Sequence, residues 1–137
     1  MRAIFQIILI LSLSLMVIEP VFASDSPEIV AITSSNCSAC KSLEPVLDEL
    51  ENDYSGRVKV LRLYVSSKSS LEEAKEKAEE NGITKFFEEN KMLVPTVGIL
   101  CPGGVKTENI FIGETRKEIY TAALDKLLAD TEKLCSL

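Results

Sequence analysis

Histidine and tryptophan are absent from this 137-residue chain, and aromatic residues make up only 6% of it. Without histidine the commonest metal-binding side chain is missing. Zinc takes four ligands in most structural sites, and two of the four cysteines, Cys101 and Cys135, are far from any other. No metal site is expected, and no small-molecule cofactor is implied. Basic charge is also short: 15 Lys and Arg stand against 21 Asp and Glu, a net charge of −6. Nucleic acid and anionic membrane surfaces are bound by basic patches, so neither is an expected partner. The chain has no internal repeat and no low-complexity tract.

One long apolar run is present, Ala3 to Ile18, directly after Arg2. It is interrupted by Gln6, Ser12 and Ser14, whereas spanning a bilayer takes about 20 predominantly apolar residues. Glu19-Pro20 ends it, and Val21-Phe22-Ala23 offers small residues for cleavage, the layout of a secretory signal peptide. Residues 1–23 are therefore read as an export signal, with an uncleaved anchor as the alternative. Residues 24–137 are one small domain with one core. Arg2 and Glu19 cancel, so this domain keeps the charge of −6. The expected location is periplasmic or extracellular, tethered if the signal stays, with no membrane insertion of the domain itself and a monomer as its expected state.

Glu28 to Thr33 is a short β-branched apolar run, which reads as a buried strand. From Cys40, the residues Leu43, Val46, Leu47, Leu50 and Tyr54 recur at helical spacing, with Pro45 expected to kink the helix and Ser55-Gly56 to stop it. Val58, Val60, Leu61, Leu63 and Val65 predict a second strand, internal in the sheet because it is apolar at most positions. Ser66 to Ser70 reads as a loop. Ser70 with Glu73 reads as a capping box opening a helix from Leu71 towards Glu80, closed or bent at Asn81-Gly82. Thr96–Cys101 and Val105–Ile112 predict a hairpin about Pro102-Gly103-Gly104. A last helix is expected from about Arg116 to Leu134, with Ile119, Ala122, Ala123, Leu127 and Leu134 inward. The order β-α-β-α-β-β-α implies an α/β fold, a mixed four-stranded sheet flanked by helices.

Cys37-Ser38-Ala39-Cys40 lies between the first strand and its helix. Thiol exchange needs an exposed thiolate to attack a disulfide and a nearby thiol to resolve the mixed disulfide. Cys37 at a helix N-terminus would have its pKa lowered by unpaired N–H groups and the helix dipole. Cys40, one turn inside, would be the shielded partner. The same spacing also serves metal sites and inert disulfides, so the strand before it and the helix after it supply the specificity. Pro95, opening a strand, belongs at a strand start or edge, where an ordinary trans proline would also fit.

These segments together resemble the thioredoxin family. The stretch from Cys37 through Lys41 and Pro45 to Leu50 is similar to that family's motif helix, and Arg57 to Tyr64 to the strand after it. Val94-Pro95-Thr96 resembles its cis-proline segment, and Gly113 falls where thioredoxins tend to have a glycine. The resemblance implies a thioredoxin-like fold and thiol:disulfide oxidoreductase activity on exported proteins. Protein thiols and disulfides would be the substrates, and an unnamed redox partner would reset the motif. It further implies a cis Pro95 and a substrate-binding role for Val94, Pro95 and Thr96. The alternatives are a binding or chaperone module with a structural Cys37–Cys40 bridge, and a metal carrier.

The chain departs from that pattern in several places. Asn36 stands where the family has tryptophan, and Ser38-Ala39 replaces Gly-Pro, which leaves the redox direction open. The family's buried aspartate is replaced by Ala31. Lys41 and Glu44 are nearby and read as solvated helix charges, neither being assigned as a general base. The usual first strand and helix are absent between Ser24 and Pro27. The acidic residues Glu72, Glu73, Glu76, Glu79, Glu80, Glu88 and Glu89 read as a solvated face, or else as a docking surface for a basic partner.

Cys101 lies six residues beyond Pro95, about 20 Å along a strand, too far to resolve a mixed disulfide. A helix of about 18 residues covers roughly 27 Å, enough to return Cys135 to the hairpin turn. A Cys101–Cys135 structural disulfide is expected there, the rival being a Cys135 that is free or paired with another chain.

Overall fold

The computed structural model describes residues 26–104 and 106–136. The expected export signal, residues 1–23, and Val105, expected in the hairpin, lie outside the described residues.

β1 (Glu28–Thr33) is buried at every position. Its side chains alternate between two cores, Ile29 and Ala31 entering one while Val30 and Ile32 enter the other, as the period of a strand requires. This is why the run is apolar without a break. α1 (Ser38–Asp53) follows and passes through Pro45 without interruption. β2 (Lys59–Tyr64) pairs parallel to β1, while β3 (Thr96–Leu100) pairs antiparallel to its other side. β4 (Thr107–Ile112) completes a mixed sheet in the order β2-β1-β3-β4.

α1 and α4 (Lys117–Ala129) cover one face, where Leu43, Leu47, Leu50, Tyr120, Leu124 and Leu127 meet Ile29, Ala31, Val97 and Ile99. α2 (Lys68–Glu80) and α3 (Thr84–Asn90) cover the other, where Ala74, Ala78, Phe86 and Phe87 meet Val30, Ile32, Leu63 and Leu100. Tyr120 fastens α4 to the sheet. Its ring meets that of Phe111 edge-on at 5.2 Å, and its hydroxyl donates to the Glu114 carbonyl at 2.7 Å. Among the described residues no helix is long and apolar enough to cross a membrane.

Four expectations are corrected. β2 is an edge strand, not an internal one. It is apolar on both sides because helices cover both faces of the sheet, with Val60 and Leu61 packing against opposite cores. α2 begins at Lys68, and its capping box is Ser67 with Ser70, each side chain bonding the other's backbone N–H. Serine here replaces the longer N3 partner that the capping-box pattern favours, so the Ser66–Ser70 loop is partly helix. The last helix is interrupted at Asp130 (φ −145°) and resumes as α5 (Thr131–Cys135). Of its expected inner face, Leu127 is buried and Ala123 and Leu134 pack partly buried against the core, but Ala122 is exposed. Tyr120 and Leu124 are the other fully buried members.

Gly98 is required by the second core. A Cβ there would lie 2.5 Å from Phe86 Cε2 and 2.8 Å from Leu100 Cδ1, and Phe86 is itself buried. Gly98→Ala should therefore destabilise the domain by about 1–3 kcal/mol, the range for overpacked cores. Urea unfolding of Gly98→Ala, and of Gly98→Ala with Phe86→Leu, checks this. The double variant should recover part of the loss, and an unchanged midpoint for the single variant would contradict the packing.

Candidate active site

The end of β1 delivers the chain to the start of α1. Thr33 is the last ladder residue, its carbonyl accepting from Val65 N–H at 2.9 Å. The next residues are fixed from two sides. Ser34 accepts from the Cys37 N–H at 3.3 Å, and the Ser35 N–H donates to Ser66 Oγ at 2.8 Å. Cys37 then takes the N-cap position in an extended conformation (φ −108°, ψ 118°), and its Sγ accepts from the Cys40 N–H at 3.1 Å. The first turn of α1 holds no acidic side chain, so no carboxylate competes for the positive end of the helix.

Cys37 and Cys40 are joined in a disulfide with Cα atoms 5.2 Å apart. Its two sulfurs occupy unequal settings. Cys37 is partly exposed, between the exposed Asn36 and Ser38, whereas Cys40 is 2% exposed. Ala31 is fully buried in the core beneath α1.

Pro95 belongs to the same end of the sheet. Ile32 pairs with Thr96 across β1 and β3, which sets Pro95 beside the residues leading into the motif. The Val94–Pro95 bond is cis. The Pro95 carbonyl accepts from the Gly113 N–H at 2.9 Å, and Gly113 has φ +70°, in the left-handed region that favours glycine. Thr96 is buried and donates its hydroxyl to the Leu93 carbonyl. Among the described residues, no turn hydrogen bond ties the backbone of Val94. Around this segment Met92, Leu93 and Ile112 are exposed apolar side chains.

The sequence reading missed the surroundings of Cys40. A cavity of about 120 Å³ opens beside it, lined also by Thr33, Lys41, Glu44 and Tyr64. Glu44 is thus more than a solvated helix charge. Its carboxylate lies 3.5 Å from the Thr33 hydroxyl and 3.6 Å from Arg62 Nε. Burial, and then the Glu44 carboxylate, push the Tyr64 phenol above its ordinary pKa. The one available signal was position, since Glu44 is four residues after Cys40 and shares its helix face. Arg62 could not be found from sequence. It reaches back from β2 to Asp48 and Glu51, each at 2.8 Å.

Cys101 and Cys135 are bonded to each other, with Cα atoms 5.5 Å apart. They lie at the opposite end of the sheet, where Leu100 pairs with Glu28 at the start of β1. The bond therefore takes no part in the motif's geometry. Among the described residues no group of three or more His, Cys, Asp or Glu side chains is arranged to hold a metal ion.

Comparison with known proteins agrees with this arrangement. The thioredoxin family model matches residues 18–98, which include the motif and Pro95. The chain is similar to the chloroplastic thioredoxin M3 of Oryza sativa subsp. japonica, at 28% identity over 115 residues, covering 84% of this chain and 57% of that protein. It is also similar to thioredoxin C-2 of Corynebacterium nephridii, at 38% over 47 residues, covering 34% of this chain and 44% of that protein. The chain thus spans about half the length of these relatives. Among solved structures, a DsbF homologue from Corynebacterium diphtheriae superposes with a TM-score of 0.58 at 19% identity, over 77% of this chain and 74% of that one. At that identity the likeness bears on the fold alone.

Closing a loop across 34 residues stabilises a domain by about 3–4 kcal/mol in the chain-entropy account. Replacing Cys101 and Cys135 together by serine should lower the unfolding free energy by up to that amount. The Cys37–Cys40 disulfide should remain formed. Denaturant unfolding, with thiol titration of the folded variant, checks both; undiminished stability would show that the bond does not constrain the domain.

Proposed function

Because this chain belongs to the thioredoxin family, we propose that it is a thiol:disulfide oxidoreductase that exchanges disulfides with exported proteins through Cys37 and Cys40. The observation that carries the reading is the asymmetry of the disulfide. One sulfur is reachable and caps a helix N-terminus, while its partner is buried one turn inside.

In the reduced protein, Cys37 attacks. Its sulfur lies where the Cys40 N–H and the helix dipole stabilise negative charge. The product is a mixed disulfide between Cys37 and the substrate. Cys40 then attacks Cys37 Sγ, closing the motif and releasing the substrate sulfur. In the opposite direction a substrate thiolate opens the same bond at Cys37. Val94, Pro95 and Thr96 are the substrate-binding segment. The Val94 backbone is available to an extended peptide, and the exposed Met92, Leu93 and Ile112 offer it apolar contact. A redox partner resets the motif, and the Cys101–Cys135 bond serves as a structural fastening.

Two features support export. Arg2 with the apolar run Ala3–Ile18 has the layout of a signal peptide, and paired cysteines suit an oxidising compartment. Intact-mass measurement of the protein recovered from the exported fraction tests this, with a mature chain starting at Ser24 as the expected result. A chain retained in the cell with residues 1–23 intact would count against export.

Reaction of the reduced protein with limiting iodoacetamide tests the assigned roles. Cys37 should be alkylated first, and at a pH below the ordinary thiol range. Equal, slow labelling of both cysteines would indicate an inert bridge. The reduction potential gives an independent check, because a structural bridge resists reduction below about −300 mV whereas a catalytic one lies higher.

A further inference from the structure

Resting on the exchange reading above, we infer that Glu44 takes up and returns the proton of the Cys40 thiol through the cavity that the two residues share. A thiol attacks only as its thiolate. Cys40 is 2% exposed, so bulk water has almost no direct access to its proton. A route out must run through the protein, and the cavity beside Cys40 is the opening the structure provides. At about 120 Å³ it has room for several water molecules, and Thr33 and Glu44, whose hydroxyl and carboxylate lie 3.5 Å apart, are among its lining residues.

The chemistry of the lining selects Glu44. Three side chains with acid–base groups line it: Lys41, Glu44 and Tyr64. The Lys41 ammonium has three donors and no free pair to accept a proton. The Tyr64 phenol is pushed above its ordinary value by burial and by Glu44, so it too is a poor acceptor. Glu44 is a carboxylate one helical turn from Cys40, with its side chain 35% exposed. It therefore reaches the cavity on one side and solvent on the other. The charged and titratable groups around it are Arg62 and Tyr64 from β2 and Lys41 and Asp48 from its own helix, while β1 contributes the uncharged Thr33. Arg62 is held more closely by Asp48 and Glu51, at 2.8 Å each, than by Glu44 at 3.6 Å. Glu44 is thus oriented without being locked in a tight ion pair. Ala31, beneath the helix, supplies no alternative acceptor.

The steps balance in both directions. With the mixed disulfide formed, the Cys40 proton passes through cavity water to the Glu44 carboxylate. The Cys40 thiolate attacks Cys37 Sγ, and the Cys37–Cys40 bond forms as the Cys37–substrate bond breaks. The substrate sulfur leaves as a thiolate and is protonated by solvent. The substrate disulfide has then gained two electrons in all and the motif has lost them. In reverse, a substrate thiolate attacks Cys37, Cys40 leaves as a thiolate, and protonated Glu44 returns the proton.

The experiment is stopped-flow reaction of the protein, reduced at the motif with Cys101–Cys135 intact, with the aromatic disulfide dithiobis(nitrobenzoate). Attack by Cys37 releases a first equivalent of coloured thiol, and resolution by Cys40 releases a second. In Glu44→Gln the first phase should be unchanged. The second should slow by about 10²-fold near neutral pH, the lower end of general acid–base contributions, and should converge with the unmodified protein in alkali. Glu44→Asp should restore much of the rate. Asp48→Asn removes a carboxylate from the same helix and the same arginine, outside the cavity, and should leave both phases unchanged. An unchanged second phase in Glu44→Gln, equal slowing of both phases, or equal slowing in Asp48→Asn would each overturn the inference. Failure of the unmodified protein to release a second equivalent would instead overturn the exchange reading on which it rests.

Discussion

The backbone N–H groups at the start of a helix have no partners within it, and at the start of α1 the sulfur of Cys37 accepts one of them. This contact turns a pair of cysteines into a site. It places Cys37 at the positive end of the helix with its sulfur partly open to solvent. It also fixes Cys40 one turn further on, where the helix has already begun to bury its inner face. The difference in exposure between the two sulfurs is thus a consequence of capping geometry.

The cap works only because both of its supports are held still. Upstream, β1 is buried throughout and paired on both sides, so its end cannot drift. Downstream, Leu43, Leu47 and Leu50 press α1 against that strand and against Tyr120 and Leu124 of α4. Pro95 is carried by β3, the antiparallel neighbour of β1, and Gly113 holds its carbonyl from the end of β4. Cys37 and the Val94-Pro95-Thr96 segment are thereby positioned by one rigid sheet, as a site needing sub-ångström placement requires. The second disulfide fastens the far end, away from the chemistry.

The sheet also explains why charges fall where they do. β2 is the edge beside α1, and Arg62 extends from it across the helix to Asp48, Glu51 and Glu44. Exposed pairs of this kind contribute little to stability one by one. Together they join the outer face of α1 to β2. Glu44, the member of the group that lines the cavity next to Cys40, is held most loosely.

Much of this was legible in the sequence because the signals are local. The β1 run, the helical spacing from Leu43 to Leu50, the Cys37–Cys40 interval and the Pro-Gly-Gly turn each depend on neighbours a few residues away, and the fold follows from their order. The errors arose where distant elements decide. An edge strand covered on both faces has the composition of an internal one, so β2 was misplaced. The inward stripe of α4 depends on where Phe111 offers a surface to Tyr120. Ser67, rather than Ser70, caps α2, because Ser70 lies inside the first turn and returns the bond as the N3 partner. The sequence by itself determined the fold class, the two cysteines at a helix start and the candidate proline. Tertiary structure alone decided what borders the buried sulfur of Cys40, a cavity lined by Thr33, Glu44 and Tyr64, because that depends on β1, β2 and α1 meeting in space.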